Sequence, residues 1–475
     1  MKLLSPESGP PAAQPYDLVV IGSGPGGRRA AIQAAKLQKR VLLIERDLIG
    51  GHCLHRGTIP SKTLREAALA NGDVGGGTLQ MIMERKRAVI SGETDVIEQQ
   101  IDRNGVELVG GRGSLVSAHE VAIDTPAGRS IVRGEYVIIA TGTSPSHPAG
   151  IDFDAATVFD SDTVLNIDRV PRTLAVIGAG VIGCEYASIF ARMGSRVTLV
   201  NKHPGILRGV DDEITEALKQ HFSENRIQLR LATEFSGIAP VTKADGSRGA
   251  RVVLKGKEHI FDAVLYCVGR EGNVEQLNLA AAGLAPDARG LIAVDEHYRT
   301  SVPNIYAVGD VVGFPSLAAS SAEQGRLAAA HAFGLSEATL SKSFPYGIYT
   351  IPEISWAGKL EAELVKEGVR YVVGRARYRE LARGRILGDV HGFLKLLVQE
   401  GSGKILGVHV LGTGATELVH IGQVAMDLGA GVEFLVSNVF NYPTLAEAYK
   451  VAAYQAYNQL NASGARELRA VPKPG

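Results

Sequence analysis

Cysteine is nearly absent from this 475-residue sequence: Cys53, Cys184 and Cys267 are all it contains. Three thiols this far apart make neither a disulfide framework nor a zinc-binding spacing, so a reducing cytoplasm is the expected setting. Net charge is lacking too. Lys plus Arg number 50 and Asp plus Glu number 50, which argues against a dedicated nucleic-acid binder with its basic excess. No apolar run approaches the length of a membrane-crossing helix. Met1 to Gln14 carry Pro10 and Pro11 but no apolar core of a secretory signal, and they read as a disordered lead-in. The tail from Ala462, ending Val471-Pro472-Lys473-Pro474-Gly475, reads as disordered as well.

What the chain has instead is apolar bulk and glycine. Apolar residues make up 45% and mean hydropathy is +0.06, enough for large cores, and the length calls for two to four domains. Glycine stands at 56 residues, well above the roughly 7% usual in proteins. No collagen-like period accounts for the surplus, so tight loops and close backbone–ligand approaches are the explanation.

The first ordered segment, Tyr16-Asp17-Leu18-Val19-Val20-Ile21, has the β-branched, apolar character of a buried strand. Gly22-x-Gly24-x-x-Gly27 follows at once, then a helical stretch from Arg28 to Leu37, then the strand Val41-Leu42-Leu43-Ile44 ending on Glu45. This strand–turn–helix–strand order is the context that a dinucleotide fingerprint requires. Gly22 makes the tight turn, Gly24 admits a pyrophosphate to the backbone, and Gly27 lets helix and strand pack closely. The helix N-terminus then faces the phosphates with its partial positive charge. Glu45 stands where a carboxylate accepts hydrogen bonds from a ribose diol.

A lone glycine-rich turn also serves purely structural ends. Here the pattern repeats. Leu174-Ala175-Val176-Ile177 leads into Gly178-x-Gly180-x-x-Gly183, a helix through Phe190, and the strand Val197-Thr198-Leu199-Val200. The interval from first glycine to the residue after the second strand is the same in both copies (22 to 45, 178 to 201). Flanks, spacing and order agree, so two dinucleotides are expected.

The second copy ends on Asn201, followed by Lys202 and His203. A carboxylate at that position would repel the 2′-phosphate of NADP, by about 4 kcal/mol per unit charge at about 4 Å and an effective dielectric near 20. Asn201 removes the repulsion and can still bond a ribose hydroxyl, with Lys202 as a phosphate partner. The expectation is use of both NAD and NADP. The alternative is a solvated Asn–Lys–His turn with specificity set elsewhere.

The stretch Gly50-Gly51-His52-Cys53-Leu54-His55-Arg56-Gly57-Thr58-Ile59-Pro60-Ser61-Lys62 resembles the active-site helix of the pyridine nucleotide–disulfide oxidoreductases. Further matches follow in that family's order: Ala140-Thr141-Gly142, Ile182-Gly183-Cys184-Glu185, Val268-Gly269-Arg270, Tyr306-Ala307-Val308-Gly309-Asp310, Ile351-Pro352-Glu353-Ile354 and Asn441-Tyr442-Pro443-Thr444-Leu445-Ala446-Glu447. The resemblance covers residues 16 to 460 or so. It implies an α/β fold of two Rossmann-like domains, one for FAD and one for NAD(P), plus a C-terminal α+β dimerisation domain. The implied ranges are 15–150 and 275–343 for FAD, 151–274 for NAD(P) and 344–465 for dimerisation, with strand Phe393 to Val398 and helices Glu417 to Leu428 and Thr444 to Leu460. A homodimer or larger homo-oligomer is implied, with no nucleic-acid, membrane or metal partner.

The departures from that family are informative. Its disulfide reductases carry a second cysteine where Thr58 stands and a histidine where Tyr442 stands. Threonine forms no disulfide, and a phenol with pKa about 10 is a poor proton shuttle at neutral pH. This combination is similar to the soluble pyridine nucleotide transhydrogenases, whose branch shares Gly57-Thr58-Ile59-Pro60-Ser61-Lys62, Gly347-Ile348-Tyr349-Thr350 and Phe440-Asn441-Tyr442-Pro443-Thr444. That resemblance implies Si-specific hydride transfer between NADPH and NAD in a ping-pong cycle on FAD.

Residue by residue, the resemblance places Lys62 beside the flavin and pairs it with Glu185, the two groups nearest the chemistry. A buried lysine keeps its charge when so paired. Arg46, Gly51, Cys53, Thr58, Thr141, Gly142, Asp310 and Ala318 join the first fingerprint around FAD, and Gly269 joins the second around NAD(P). Cys53 packs by the ring without redox turnover. Other readings are a diaphorase or quinone reductase, a lipoamide dehydrogenase-like enzyme without its disulfide, and a non-catalytic flavin-bearing assembly subunit.

Overall fold

The computed structural model describes residues 14–71, 76–335 and 343–462. The lead-in before residue 14 and the tail beyond 462 lie outside the described residues. Ala462 itself closes the last helix, Glu447–Ala462. The described residues form two compact units, one of residues 14–70, 76–169 and 268–335, the other of residues 71, 170–267 and 343–462.

In the first unit strand Tyr16–Ile21 lies parallel between Val41–Glu45 and Gly128–Ile139, with Leu18 opposite both Val41 and Tyr136. Strand Glu107–Gly110 extends the sheet on one side and Ile305–Ala307 pairs with the far end of Gly128–Ile139. The same long strand turns antiparallel to Glu120–Thr125, which in turn pairs with Arg112–Leu115.

The unbroken apolar run of the first strand follows from burial on both faces, as parallel sheets require. Tyr16, Val19 and Ile21 belong to a core with Leu42, Ile44 and Leu277, while Leu18 and Val20 belong to another with Ala30, Ala34 and Ala328. The helices on that second face, Pro25–Lys36 and Ala318–Ala332, are rich in alanine. They touch so closely that a Cβ on Gly325 would overlap the Gly26 carbonyl. Helix Pro25–Lys36 begins three residues before the sequence expectation, because proline is well placed in a first helical turn.

The second unit repeats the motif. Parallel strands Ile227–Arg230, Arg196–Val200, Thr173–Ile177 and Ala263–Tyr266 stand side by side in that order. Helix Val181–Arg192 follows the second glycine turn, and nine of its residues from Gly183 to Ala191 are buried. The rest of this unit carries an antiparallel sheet in the order Tyr346–Ile348, Ile354–Gly358, Ile405–Leu411, Phe393–Gln399, Tyr371–Arg377. Helices Ala415–Asp427, Val432–Ser437 and Glu447–Ala462 cover it. The last starts three residues after the expected Thr444, which instead donates its hydroxyl to the Asn441 carbonyl at 2.7 Å.

Lys395, in the strand Phe393–Gln399 between Ile405–Leu411 and Tyr371–Arg377, is out of contact with water. Its ammonium meets Asp211 at 2.9 and 3.0 Å, Glu213 at 3.1 Å, and also Glu361. Asp211, Glu213 and Glu361 could in geometry alone hold a metal ion, but the ammonium already supplies their positive charge.

Candidate functional site

The two glycine turns have the same construction. Gly22 and Gly178 each adopt φ +105°, in the left-handed region. A Cβ on Gly22 would overlap the Ala140 carbonyl, one on Gly27 the Gly22 carbonyl, and one on Gly183 the Gly178 carbonyl. On Gly24 and Gly180 a Cβ would meet nothing within 4 Å. The middle glycine of each turn therefore borders open space, and the helices starting at Pro25 and Val181 direct unsatisfied backbone N–H groups toward it.

The turns differ in what fastens them. Glu45 is buried and accepts from the Ser23 N–H at 2.9 Å, the Ser23 hydroxyl at 2.7 Å and the Asp47 N–H at 2.9 Å. The Ser23 hydroxyl also accepts from the Gly50 N–H at 2.9 Å, tying the turn to the helix that bears Cys53. In the second copy Asn201 donates to the carbonyls of Gly205 at 2.8 Å and His203 at 3.2 Å and accepts weakly from the Ala179 N–H at 3.4 Å. Arg46 and Lys202 are exposed beside the two strand ends.

The segment expected as one active-site helix is two. Helix Gly51–His55 ends at Arg56 and a new helix begins at Thr58, with the break at Arg56–Gly57. Gly50 and Gly51 both take positive φ, and a Cβ on Gly51 would press on the Gly24 Cα at 3.0 Å. Cys53 is half-buried and hydrogen-bonded to Thr58; burial pushes its thiol above the ordinary range, with that bond, Arg28 and Lys62 opposing. Lys62 is half-buried one turn after Thr58. Cys184 is fully buried, and burial pushes its thiol far up. None of the three cysteines is in a disulfide.

Asp310 sits on the short turn Gly309–Val312, held in place by Gln324, which accepts the Gly309 N–H at 2.8 Å. Burial raises the Asp310 carboxyl, while Arg270 and a 3.4 Å bond from the Thr143 hydroxyl pull it down. Helix Ala318–Ala332 begins eight residues on. Gly142 has φ +66° and open space at its Cβ position, and the Thr141 hydroxyl beside it is buried with no partner among the described residues. The Arg28 Nε is orphaned in the same way. Orphaned polar atoms, the open face at Gly24 and a buried carboxyl on one side of a parallel sheet together fit a bound dinucleotide such as FAD.

In the second unit Glu185 is buried on helix Val181–Arg192 and accepts the Tyr349 N–H at 2.8 Å. Ser188, one turn on, accepts the Ile351 N–H at 3.0 Å. The expected partners Lys62 and Glu185 belong to different units. Gly269, which falls in the first unit, takes φ +87° and its carbonyl accepts from Ser146 N–H at 3.2 Å. Tyr442 is 75% exposed, with Val439 at 92% and Leu428 at 78% in the same unit.

Several residues of this site carry no signal in the sequence. Ser23 lies inside the fingerprint at a position that the pattern leaves open. Arg28, Thr143 and Asp162 act through tertiary contacts that no spacing encodes, and His52 and Tyr349 stand in quoted motifs that give no hint of theirs. Arg270 stands in a quoted motif, yet its partners are distant in the chain: His52 and Thr143.

Residues 16–325 match the family described as pyridine nucleotide-disulphide oxidoreductase, and residues 344–453 match its dimerisation domain. A soluble pyridine nucleotide transhydrogenase of Mycobacterium tuberculosis (strain ATCC 25177 / H37Ra) is 48% identical over 94% of this chain and 98% of its own. One from Pectobacterium atrosepticum is 42% identical over the same shares. Among solved structures, the Cu(II) complex of the HOCl-induced flavoprotein disulfide reductase RclA from Escherichia coli aligns with TM-score 0.86 and 26% identity, covering 93% of this chain and 99% of that one. LpdA from M. tuberculosis aligns with TM-score 0.85 and 26% identity, over 92% and 99%. No described helix is long and apolar enough to cross a membrane.

Proposed function

The chain belongs to the pyridine nucleotide-disulphide oxidoreductase family, and from that premise we propose that it is a soluble, FAD-dependent transhydrogenase moving hydride between NADPH and NAD. The observation that carries the reading is a pair of complete dinucleotide turns combined with Thr58 and Tyr442 in the positions of the family's second cysteine and histidine. With no dithiol to receive electrons, the nicotinamide site is both entrance and exit. The transhydrogenase relatives support the same assignment.

Bound FAD would supply a resident carrier for the hydride between one nicotinamide leaving and the next arriving, a capacity that no side chain here provides. The protein's part is to bind and orient. The Gly22–Gly27 turn, Glu45, Thr141, Gly142 and Asp310 would hold FAD, with Arg46, Gly51, Cys53, Thr58 and Ala318 around it. The Gly178–Gly183 turn, Asn201, Lys202 and Gly269 would hold NAD or NADP in alternation. Lys62 paired with Glu185 would set a fixed positive charge at the reacting end, and the Tyr349 N–H keeps the Glu185 carboxylate oriented. FAD binding is assigned to residues 15–150 and 275–343, NAD(P) binding to 151–274 and dimerisation to 344–465.

The dimerisation domain makes the protein a homo-oligomer. Its setting is the cytoplasm, in keeping with three cysteines outside any disulfide, and hydride would be delivered on the Si face. The test is anaerobic hydride transfer from NADPH to thio-NAD with purified protein, run beside a quinone. Stereospecifically deuterated NADPH reads the face. Fast quinone reduction with negligible thio-NAD reduction would replace this reading with a diaphorase.

A further inference from the structure

Next to Cys53, His52 points its Nε2 at two groups of opposite kind. The Arg270 Nη2 lies 3.2 Å away and the Asp162 Oδ1 3.5 Å away. A guanidinium has only N–H donors, so the Nε2 facing Arg270 must be the bare, accepting nitrogen, and the ring proton is on Nδ1. The same lone pair then faces the Asp162 carboxylate. Two acceptors are turned toward each other, and Arg270 is the donor that reconciles them.

Arg270 carries the arrangement onward. Its Nη2 also donates to the Thr143 carbonyl at 2.7 Å, and its Nε to the Thr143 hydroxyl at 2.8 Å. That hydroxyl donates to Asp310 Oδ2 at 3.4 Å. One chain of hydrogen bonds therefore runs from His52 through Arg270 and Thr143 to the carboxyl proposed above to hold FAD. All of these residues belong to the first unit.

We propose that His52 and Asp162 form a proton-responsive clamp on Arg270, positioning residues that set how firmly Thr143 and Asp310 are held for FAD. Protons at this pair act in one direction only. A proton on Asp162 creates an O–H that competes with Arg270 for the His52 lone pair. A proton on His52 Nε2 removes the lone pair altogether. Either way Arg270 loses an acceptor.

The surrounding charges decide where the first proton goes. His52 is faced by Arg270, Arg56 and Asp160; burial and the two arginines push it down to about 3. Asp162 is faced by Arg270, Asp160 and Arg56 as well as Ser161, and burial with Asp160 pushes it up to about 6. Asp160 itself is occupied, accepting from Thr163, Asp162 and His147. Asp162 is therefore the group that takes up the proton, and it does so close to physiological pH.

The inference rests on the reading of Asp310 as an FAD ligand, and its test reads FAD affinity rather than turnover. FAD is titrated into apoprotein by flavin fluorescence from pH 5 to 8. Wild-type affinity is expected to weaken by about two- to tenfold below an inflection near pH 6, the worth of one hydrogen bond. D162N, whose amide mimics the protonated carboxyl, should stay on the weak limb at every pH; D162A, with no competing donor, should stay on the tight limb. An inflection in D162N or D162A that matches wild type overturns the clamp while leaving the transhydrogenase reading untouched. Absence of FAD binding at any pH overturns both.

Discussion

Lys395 and Asp211 form an ion pair, at 2.9 and 3.0 Å, from which water is excluded on both sides. Asp211 also caps helix Asp212–Glu224, its Oδ1 accepting the Glu213 N–H at 3.1 Å. A single substitution, Lys395→Met, strands the buried Asp211 carboxylate and takes the ammonium from Glu361, while Glu213 keeps Arg375 at 2.8 Å. The expected loss is about 3–5 kcal/mol, as when one partner of a buried pair is removed. Urea unfolding measures it. A loss below about 1 kcal/mol would mean that water reaches the pair.

The His52–Asp162 pair makes an unusual prediction about stability and pH. His52 is depressed from 6.5 to about 3, so its contribution is present above 6.5 and lost as pH falls toward 3. Asp162 is raised from 3.8 to about 6, so its contribution is present below 3.8 and lost as pH rises through 6. Between these values the unfolded pair holds one proton on histidine and the folded pair one on aspartate. The slopes cancel in that window. Asp162→Asn unmasks the histidine, so the variant should lose stability on going from pH 6.5 to 4.5, whereas His52→Gln should gain it. Denaturation midpoints at pH 4.5, 5.5 and 6.5 decide; two variants with the same slope would refute the assignment.

Asn201→Glu places a carboxylate beside a 2′-phosphate and should raise KM for NADPH about a hundred- to a thousandfold. Because Asn201 also ties down the carbonyls of His203 and Gly205, some loss with NADH is expected too, within about tenfold. Steady-state kinetics with each donor separate the two effects. Equal losses would assign Asn201 to the turn alone.

Cys53→Ala should keep NADPH-to-thio-NAD transfer within a fewfold of wild type, since the thiol is pushed up by burial and hydrogen-bonds Thr58 rather than a second sulfur. Iodoacetamide should label Cys53 slowly at pH 7. Abolished transfer in this variant would point to thiol chemistry after all.

The two glycine turns can be tested against each other. Gly27→Ala drives a methyl into the Gly22 carbonyl, and Gly183→Ala does the same at Gly178. The first variant should purify without its yellow colour; the second should keep the flavin spectrum but resist bleaching by NADPH. Matching spectra and bleaching in both would contradict the division of labour between the turns.

Local rules made much of this legible in the chain. Glycines at fixed intervals between apolar strands announce Gly22–Gly27 and Gly178–Gly183, because turn geometry and phosphate approach both act within a few residues. The break at Arg56–Gly57 escapes such reading. The start of the first helix is set where Gly51, at positive φ, lies against the distant Gly24, a contact that no local pattern encodes. Arg270 and Thr143 are likewise brought together by sheet pairing, with strand Arg270–Gly272 antiparallel to Thr143–Pro145, and His52 reaches Arg270 from helix Gly51–His55. No period in the sequence carries that information.

The Glu45–Ser23–Gly50 linkage has a thermodynamic meaning as well. A carboxylate with three donors keeps the first turn in its working shape before any ligand arrives, so little ordering entropy is left to lose on binding. The second turn is fastened to its own loop by a neutral amide, with one contact as long as 3.4 Å. Rigidity at one turn and slack at the other suit a tenant that stays and a visitor that must leave within each turnover.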